Sequence, residues 1–241
     1  MFPKIFAHRG ASAYAPENTL IAMEIAKKKN ALAIECDVLL TADNYPVIFH
    51  DVLVDRTTNG KGAIAEMTLS QIQKLDGGSW FSDEFTHEPI PTLDALLQKC
   101  VALGLWINLE IKPTPGYEKL TVEKVLESVA RYWPNEAVPP LFSSFCEKTL
   151  ILLREQQPEI PIGMLYETWD EIDFYKAEQL RSVSIHLEKS AFTKARVERL
   201  HREGYVACAY TVNDVTEAKA LQAMGVSSCF SDYPDLLATI E

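Results

Sequence analysis

The chain has 241 residues, 47% of them apolar, which is enough for one large core, and it carries a net charge of −11. That acidity, with no run of five or more basic residues, argues against nucleic acid or an anionic membrane surface as partner. An anionic substrate would have to be drawn by a few local cations or by a metal, against the field of the whole molecule.

Short apolar or β-branched runs alternate with amphipathic stretches along the whole chain. Strands are expected at 4–8, 32–38, 105–111, 140–145, 161–166, 182–187, 205–212 and 226–231, and helices at 18–30, 92–103, 117–132, 146–156, 170–180, 190–203, 214–224 and 233–240. Asn18, Thr92 and Asp214 stand where N-caps belong, and Gly104, Gly204 and Gly225 fall just past helix ends. Eight β–α units in strict order favour a parallel sheet closed into a (β/α)8 TIM barrel. The lack of a G-x-G-x-x-G loop counts against an open, doubly wound sheet.

One stretch interrupts the alternation. After the second strand comes "LLTADNYPVIFHD", in which too few residues separate two apolar runs for a parallel crossover. Residues 46–50 therefore read as the return arm of a hairpin. A two-residue turn at Asp43-Asn44 would set Ala42 opposite Tyr45 and Asp37 opposite His50. Residues 52–90 then form a small polar insertion within a single domain spanning 1–241.

The N-terminal "MFPKIFAHRGAS" lacks the charged and apolar regions of a signal peptide, and no apolar run approaches the roughly 20 residues of a transmembrane segment. Five scattered cysteines (36, 100, 146, 208, 229) without a C-x-x-C read as buried, reduced thiols. Both features set the expectation of a cytoplasmic protein. Oligomeric state is not legible.

In such a barrel the active site is built at the C-terminal ends of the strands. The first strand ends in His8-Arg9-Gly10, the second carries Glu35 and Asp37, and the third carries Asn108, Glu110 and Lys112. Side chains two apart on a strand share a face, so Glu35 with Asp37, and Glu110 with Lys112, point the same way. If that way is inward, three carboxylates converge and must be offset. Arg9 and Lys112 in a structural ion network is one solution; a hard divalent cation is another. His8 and His50, at two strand ends beside the acids, suit general acid–base work near neutral pH. His186 reads as structural, His87 and His201 as surface residues.

These residues occur in a recognisable order. "AHRGASAYAPENT" (7–19), "IECDVLLTADNYPVIFHD" (34–51), "GSWFSDEF" (78–85), "IPTLDALL" (90–97), "NLEIK" (108–112), "LFSSF" (141–145), "YTVND" (210–214) and "SDYPD" (231–235) resemble the glycerophosphodiester phosphodiesterase family over nearly the whole chain. The resemblance implies a metal-dependent (β/α)8 barrel with a small insertion after the second strand. It also implies hydrolysis of glycerophosphodiesters to sn-glycerol 3-phosphate and an alcohol. By position, Glu35, Asp37 and Glu110 match the acids that hold one divalent ion (Mg2+, Ca2+ or Mn2+). His8 and His50 match the catalytic pair, with His8 assigned as base and His50 as acid. Arg9 and Lys112 match phosphate contacts, and Glu17-Asn18 an E-N pair for which helix capping is the simplest role. Tyr210 stands where many relatives carry tryptophan, so its hydroxyl bears on the choice of headgroup. Trp80 and Phe81 either line the mouth or pack inside the insertion. The competing readings are a related phospholipase D-like barrel and a non-catalytic phosphoester-binding barrel.

Overall fold

Nine strands make one sheet in the computed structural model of the chain, which describes residues 2–235. They are β1 (Ile5–His8), β2 (Ala33–Leu40), β3 (Pro46–Ile48), β4 (Trp106–Ile111), β5 (Leu141–Ser144), β6 (Ile162–Tyr166), β7 (Ser184–Glu188), β8 (Val206–Tyr210) and β9 (Ser228–Ser231). All of them except β3 pair in parallel, and β1 pairs with both β2 and β9, so the parallel strands close on themselves. The helices are α1 (Leu20–Lys28), α2 (Leu69–Ile72), α3 (Leu93–Leu103), α4 (Glu118–Tyr132), α5 (Glu147–Gln156), α6 (Phe174–Gln179), α7 (Lys194–Arg202) and α8 (Val215–Met224). Except for α2, each lies between consecutive parallel strands. The result is the (β/α)8 barrel expected from the alternation.

The period-two pattern of each strand divides two environments. On β2, Ile34, Cys36 and Val38 face outward into a core shared with Met23 and Ala26 of α1 and Leu96, Leu97 and Cys100 of α3. Burying a side chain of this size contributes roughly 1.5–3 kcal/mol, which makes the register of β2 costly to slip. The alternate residues face the barrel axis. There Phe6, Ala33, Leu141, Cys208 and Phe230 form an apolar plug, and the charged residues sit toward the other end. The five cysteines are unpaired; four are buried as expected, and Cys146, at the start of α5, is only partly so.

Several local expectations are revised. Asn18 is not the cap of α1; Thr19 is, its side chain accepting from the amide of Ala22. Thr92 and Asp214 do cap their helices. The helix expected at 170–180 is a 3-10 turn (Trp169–Glu171) followed by α6, and that at 190–203 is a 3-10 turn (Lys189–Ala191) followed by α7. The helix expected at 233–240 falls, from residue 236 on, outside the described residues.

The hairpin forms, but one residue out of the expected register. Val38 faces Ile48 and Leu40 faces Pro46, so Asp37 is opposite Phe49 rather than His50. The cause is the turn. The Thr41 amide donates to the Tyr45 carbonyl (3.0 Å), closing a loop of three residues whose last, Asn44, has φ 65°. A three-residue loop ending in a left-handed residue shifts the pairing by one relative to a two-residue turn.

Residues 52–90 hold α2 and two 3-10 turns, Ile64–Glu66 and Asp83–Phe85. A small apolar cluster of Val54, Ile64, Ile72 and Ile90 seats them against Leu39, Val47 and Phe49 of the hairpin. Trp80, Phe81 and Phe85 stack edge to face on one another, and Trp80 Nε1 donates to the Gly77 carbonyl.

Candidate active site

The register of β2 and β4 places Asp37 beside Glu110 and Glu35 beside Asn108. Carboxylate oxygens of Glu35, Asp37 and Glu110 all lie within 4.8 Å of one another. Asp37 is 1% exposed and Glu35 3%. Counter-charge gathers mainly on Asp37. Lys112 Nζ is 3.3 Å from its Oδ1, Arg9 Nε is 3.6 Å from its Oδ2, and Asn18 Nδ2 donates to Oδ2 at 2.9 Å. Glu110 has Lys112 no closer than 4.0 Å, and Glu35 receives the backbone amide of Arg9 at 3.1 Å.

The three acids respond differently. Burial raises all three. For Asp37 it is outweighed by Lys112, Arg9 and His50, and by the Asn18 bond, so the carboxyl lies below its usual range. For Glu35, burial and then repulsion from Asp37 and Glu110 win, and its carboxyl is pushed well up. Glu110 is pushed up to about 7, by burial and then by Asp37. The Arg–Lys network therefore satisfies one acid and leaves two short of positive charge. Three converging oxygen donors in that condition fit a hard divalent cation, which takes carboxylate ligands.

The turn after β1 supports this arrangement. Arg9 has φ 54° and Gly10 φ 82°, which folds the chain back over the barrel mouth. Gly10 is required twice over, since a Cβ there would lie 2.7 Å from Ala22 Cβ and 2.9 Å from the Ala22 backbone. Glu17 accepts from Arg9 Nη1 at 2.8 Å, and Asn18, also left-handed with φ 58°, aims its amide at Asp37. The E-N pair thus orients the charged groups instead of starting a helix.

Each of the two histidines is held by its Nδ1. His8 Nδ1 is 2.6 Å from Asp232 Oδ1, and Asp232 also accepts from Ser12 Oγ (2.9 Å) and Asn213 Nδ2 (2.5 Å). Burial raises the Asp232 carboxyl, but the His8 contact and these bonds outweigh it and bring it down to about 2. His50 Nδ1 is 2.6 Å from Asp51 Oδ1. The Arg56 guanidinium holds Asp51 well below the ordinary carboxylate range, and burial, only partly offset by Asp37, lowers His50 itself. With ionised aspartates on Nδ1, that nitrogen carries the proton in both rings and Nε2 is left to act. The Nε2 of His8 is 4.0 Å from Glu35 Oε2.

His8, Arg9, Glu35, His50, Glu110 and Lys112 line one cavity of about 310 Å3, walled by Phe145, Leu165, Tyr210 and Phe230. Tyr210 contributes its ring and not its hydroxyl: Oη donates to the Tyr166 carbonyl at 2.8 Å, and Phe145 packs against the ring edge-on, with centroids 6.1 Å apart. His186 lies at the inner end, fully buried, with Nε2 2.8 Å from Ser184 Oγ. Burial brings its imidazole down to about 3, so it is neutral. Trp80 and Phe81 do not line this cavity. A larger surface cleft of about 460 Å3 lies between the hairpin tip and α4 and shares none of these residues.

Eight residues singled out in the sequence (His8, Arg9, Glu35, Asp37, His50, Glu110, Lys112, Tyr210) thus meet around one barrel mouth. The partners that orient them (Asp51, Arg56, Asp232, Ser12 and Asn213) were not singled out. Ser12, Asp51, Asn213 and Asp232 stood within the quoted motifs; Arg56 carried no comparable signal.

Comparison with known proteins agrees with this geometry. Residues 8–236 match the model of the glycerophosphoryl diester phosphodiesterase family. YhdW of Bacillus subtilis, provisionally assigned as a glycerophosphodiester phosphodiesterase, is 37% identical over 97% of this chain and 96% of its own. The glycerophosphodiester phosphodiesterase of Caldanaerobacter subterraneus is 32% identical over 98% of this chain and 96% of its own. A phosphodiesterase of Oleispira antarctica, solved in complex with the product sn-glycerol-3-phosphate, superposes with a TM-score of 0.95 at 36% identity, covering 98% of this chain and 96% of the other. By the extent of the family match and of these likenesses, the chain belongs to the glycerophosphoryl diester phosphodiesterase family of enzymes.

Proposed function

We propose that this enzyme hydrolyses glycerophosphodiesters to sn-glycerol 3-phosphate and an alcohol, with a divalent cation on Glu35, Asp37 and Glu110 and two-histidine acid–base catalysis. One observation carries the reading: two histidines, each fixed through Nδ1 by an aspartate, open on the same cavity as an undercompensated acid trio. The product named with the Oleispira relative supplies the substrate class.

A bound cation would offset the charge of the anionic diester and of its transition state. Arg9 and Lys112 bind the phosphoryl oxygens and spread the same charge. His8 removes the proton of the attacking hydroxyl through Nε2, and Asp232 holds the ring through Nδ1. A new P–O bond forms as the P–O bond to the leaving alcohol breaks. His50, with Asp51 on its Nδ1 proton, takes up a second proton from solvent at Nε2 and gives it to the departing oxygen. The attacking hydroxyl is that of water or of the adjacent glycerol carbon. Trapping a cyclic 1,2-phosphate would select the second.

The protein is read as one catalytic domain in which 52–90 is an insertion, acting on a small soluble substrate. No helix among the described residues is long and apolar enough to cross a membrane. A cytoplasmic setting is proposed on the five unpaired thiols. The test is 31P NMR of glycerophosphocholine incubated with the protein and Mg2+, Ca2+ or Mn2+ in turn. Conversion to sn-glycerol 3-phosphate is expected with at least one ion; release of phosphocholine and glycerol instead would contradict the proposed bond cleavage.

A further inference from the structure

Arg56 lies in the insertion, outside the barrel, and its side chain is 45% exposed. Its guanidinium nevertheless makes four hydrogen bonds to two carboxylates. Nε and Nη2 donate to Asp51 at 2.6 and 3.0 Å, and Nη1 and Nη2 donate to the two oxygens of Glu17, both at 2.8 Å. Asp51 in turn holds His50 Nδ1, and Glu17 holds Arg9 Nη1 at 2.8 Å. A continuous chain, His50–Asp51–Arg56–Glu17–Arg9–Asp37, therefore runs along the rim of the cavity.

From this geometry we propose that Arg56 is a positioning residue for both parts of the reaction: it fixes the acid–base residue His50 through Asp51 and the phosphate contact Arg9 through Glu17. The inference rests on the roles proposed above for His50 and Arg9. A planar guanidinium with two carboxylates in its fork sets their orientation as well as their charge, which a lysine ammonium cannot do. Asp51 and Glu17 each have one catalytic-side partner and share Arg56 as the other. Without Arg56 each keeps its charge but is free to rotate, taking His50 or Arg9 with it. A displacement of an ångström at a reacting group is enough to cost about a hundredfold in rate. An exposed ion pair adds little to folding, so the effect should appear in kinetics far more than in stability. The insertion would then be a clamp on the site, joining two segments of the rim that the barrel strands do not connect.

The test is steady-state kinetics of the full-length enzyme on two substrates, glycerophosphocholine and a glycerophospho-p-nitrophenyl ester. The aryl leaving group departs without needing a proton, so it reports on phosphate binding but hardly on His50. For Arg56→Ala, kcat on the choline ester is expected to fall about tenfold or more and KM to rise severalfold, with kcat on the aryl ester falling much less. Asp51→Asn should reproduce mainly the kcat loss and Glu17→Gln mainly the KM rise. Adding Arg56→Ala to either should worsen that parameter little. Arg56→Lys should recover less than half of the loss in log units. Wild-type kcat and KM in Arg56→Ala would overturn the inference, as would equal losses on both esters with full additivity in the double variants. If Arg56→Ala is poorly folded by thermal denaturation, Arg56→Lys decides on the same two-substrate comparison. Failure of the wild-type enzyme to cleave glycerophosphocholine would overturn the functional reading instead, so the two failures are distinguishable.

Discussion

Nδ1 of His8 and Oδ1 of Asp232 lie 2.6 Å apart although 224 positions separate them in the chain. Barrel closure makes the contact, because β9 pairs with β1 and Asp232 follows the last residue of β9. His50 reaches the same state by a local route, through its neighbour Asp51. Two unrelated pieces of backbone thus place an aspartate on Nδ1 of both imidazoles.

The first prediction concerns this contact. Asp232→Asn is expected to lower kcat about tenfold or more with little change in KM, because the variant loses the charge that stabilises protonated His8. Steady-state kinetics on glycerophosphocholine checks it. The fold should persist, since Asp232 lies on the rim with its side chain 28% exposed, outside the buried core.

The acid trio predicts a linkage between cation and stability. Adding a divalent cation to chelator-treated protein should raise the melting temperature in a concentration-dependent way, by mass action on the folded state. Glu110→Gln should abolish or sharply weaken that rise. It should also stabilise the cation-free protein, by removing a carboxyl that burial and Asp37 disfavour. Differential scanning calorimetry with and without cation measures both effects.

Tyr210 tests which part of an aromatic wall matters. Tyr210→Phe leaves the ring and removes the bond to the Tyr166 carbonyl, so about 1 kcal/mol of stability should be lost in urea unfolding. Tyr210→Ala removes the wall and should raise KM by far more than Tyr210→Phe does.

His186 gives a pH dependence with a definite sign. Its buried imidazole protonates only near pH 3, whereas in the unfolded chain it protonates near 6.5. Above about 6.5 both states are neutral. Between about 6.5 and about 3 the unfolded state binds a proton that the folded state refuses, so stability falls as pH falls. Below about 3 the loss levels off. The slope due to this residue approaches roughly 1.4 kcal/mol per pH unit. Urea unfolding of wild type and His186→Gln at pH 5, 6 and 7 should show the shallower dependence in the variant.

Most of the barrel was legible because its evidence is local and repeated. Glu35 and Asp37, alternating with Ile34, Cys36 and Val38, already marked an inward polar face, and Glu110 on β4, with Lys112 just past its end, marked another. The hairpin was legible as a hairpin, but its register was not. That depended on Asn44 adopting a left-handed backbone and lengthening the loop by one, a choice the dipeptide Asp43-Asn44 does not announce. Asn18 looked like a cap because asparagine often is one; a buried carboxylate competed for its amide and Thr19 capped in its place. Asp232 and Arg56 were out of reach for another reason. His8 and Ser12 are distant in sequence from Asp232, as Glu17 is from Arg56, and only closure of the barrel and folding of residues 52–90 bring them together.

The most direct measurement of the central claim is a coupled assay of sn-glycerol 3-phosphate release from glycerophosphocholine, comparing cation-loaded wild type with His8→Ala and His50→Ala. The account expects release by wild type that a chelator abolishes, and at least about a hundredfold lower kcat in each variant. The cation-dependent rise in melting temperature should be retained in both. Near-normal kcat in either variant, or wild-type release undiminished by chelation, would contradict it.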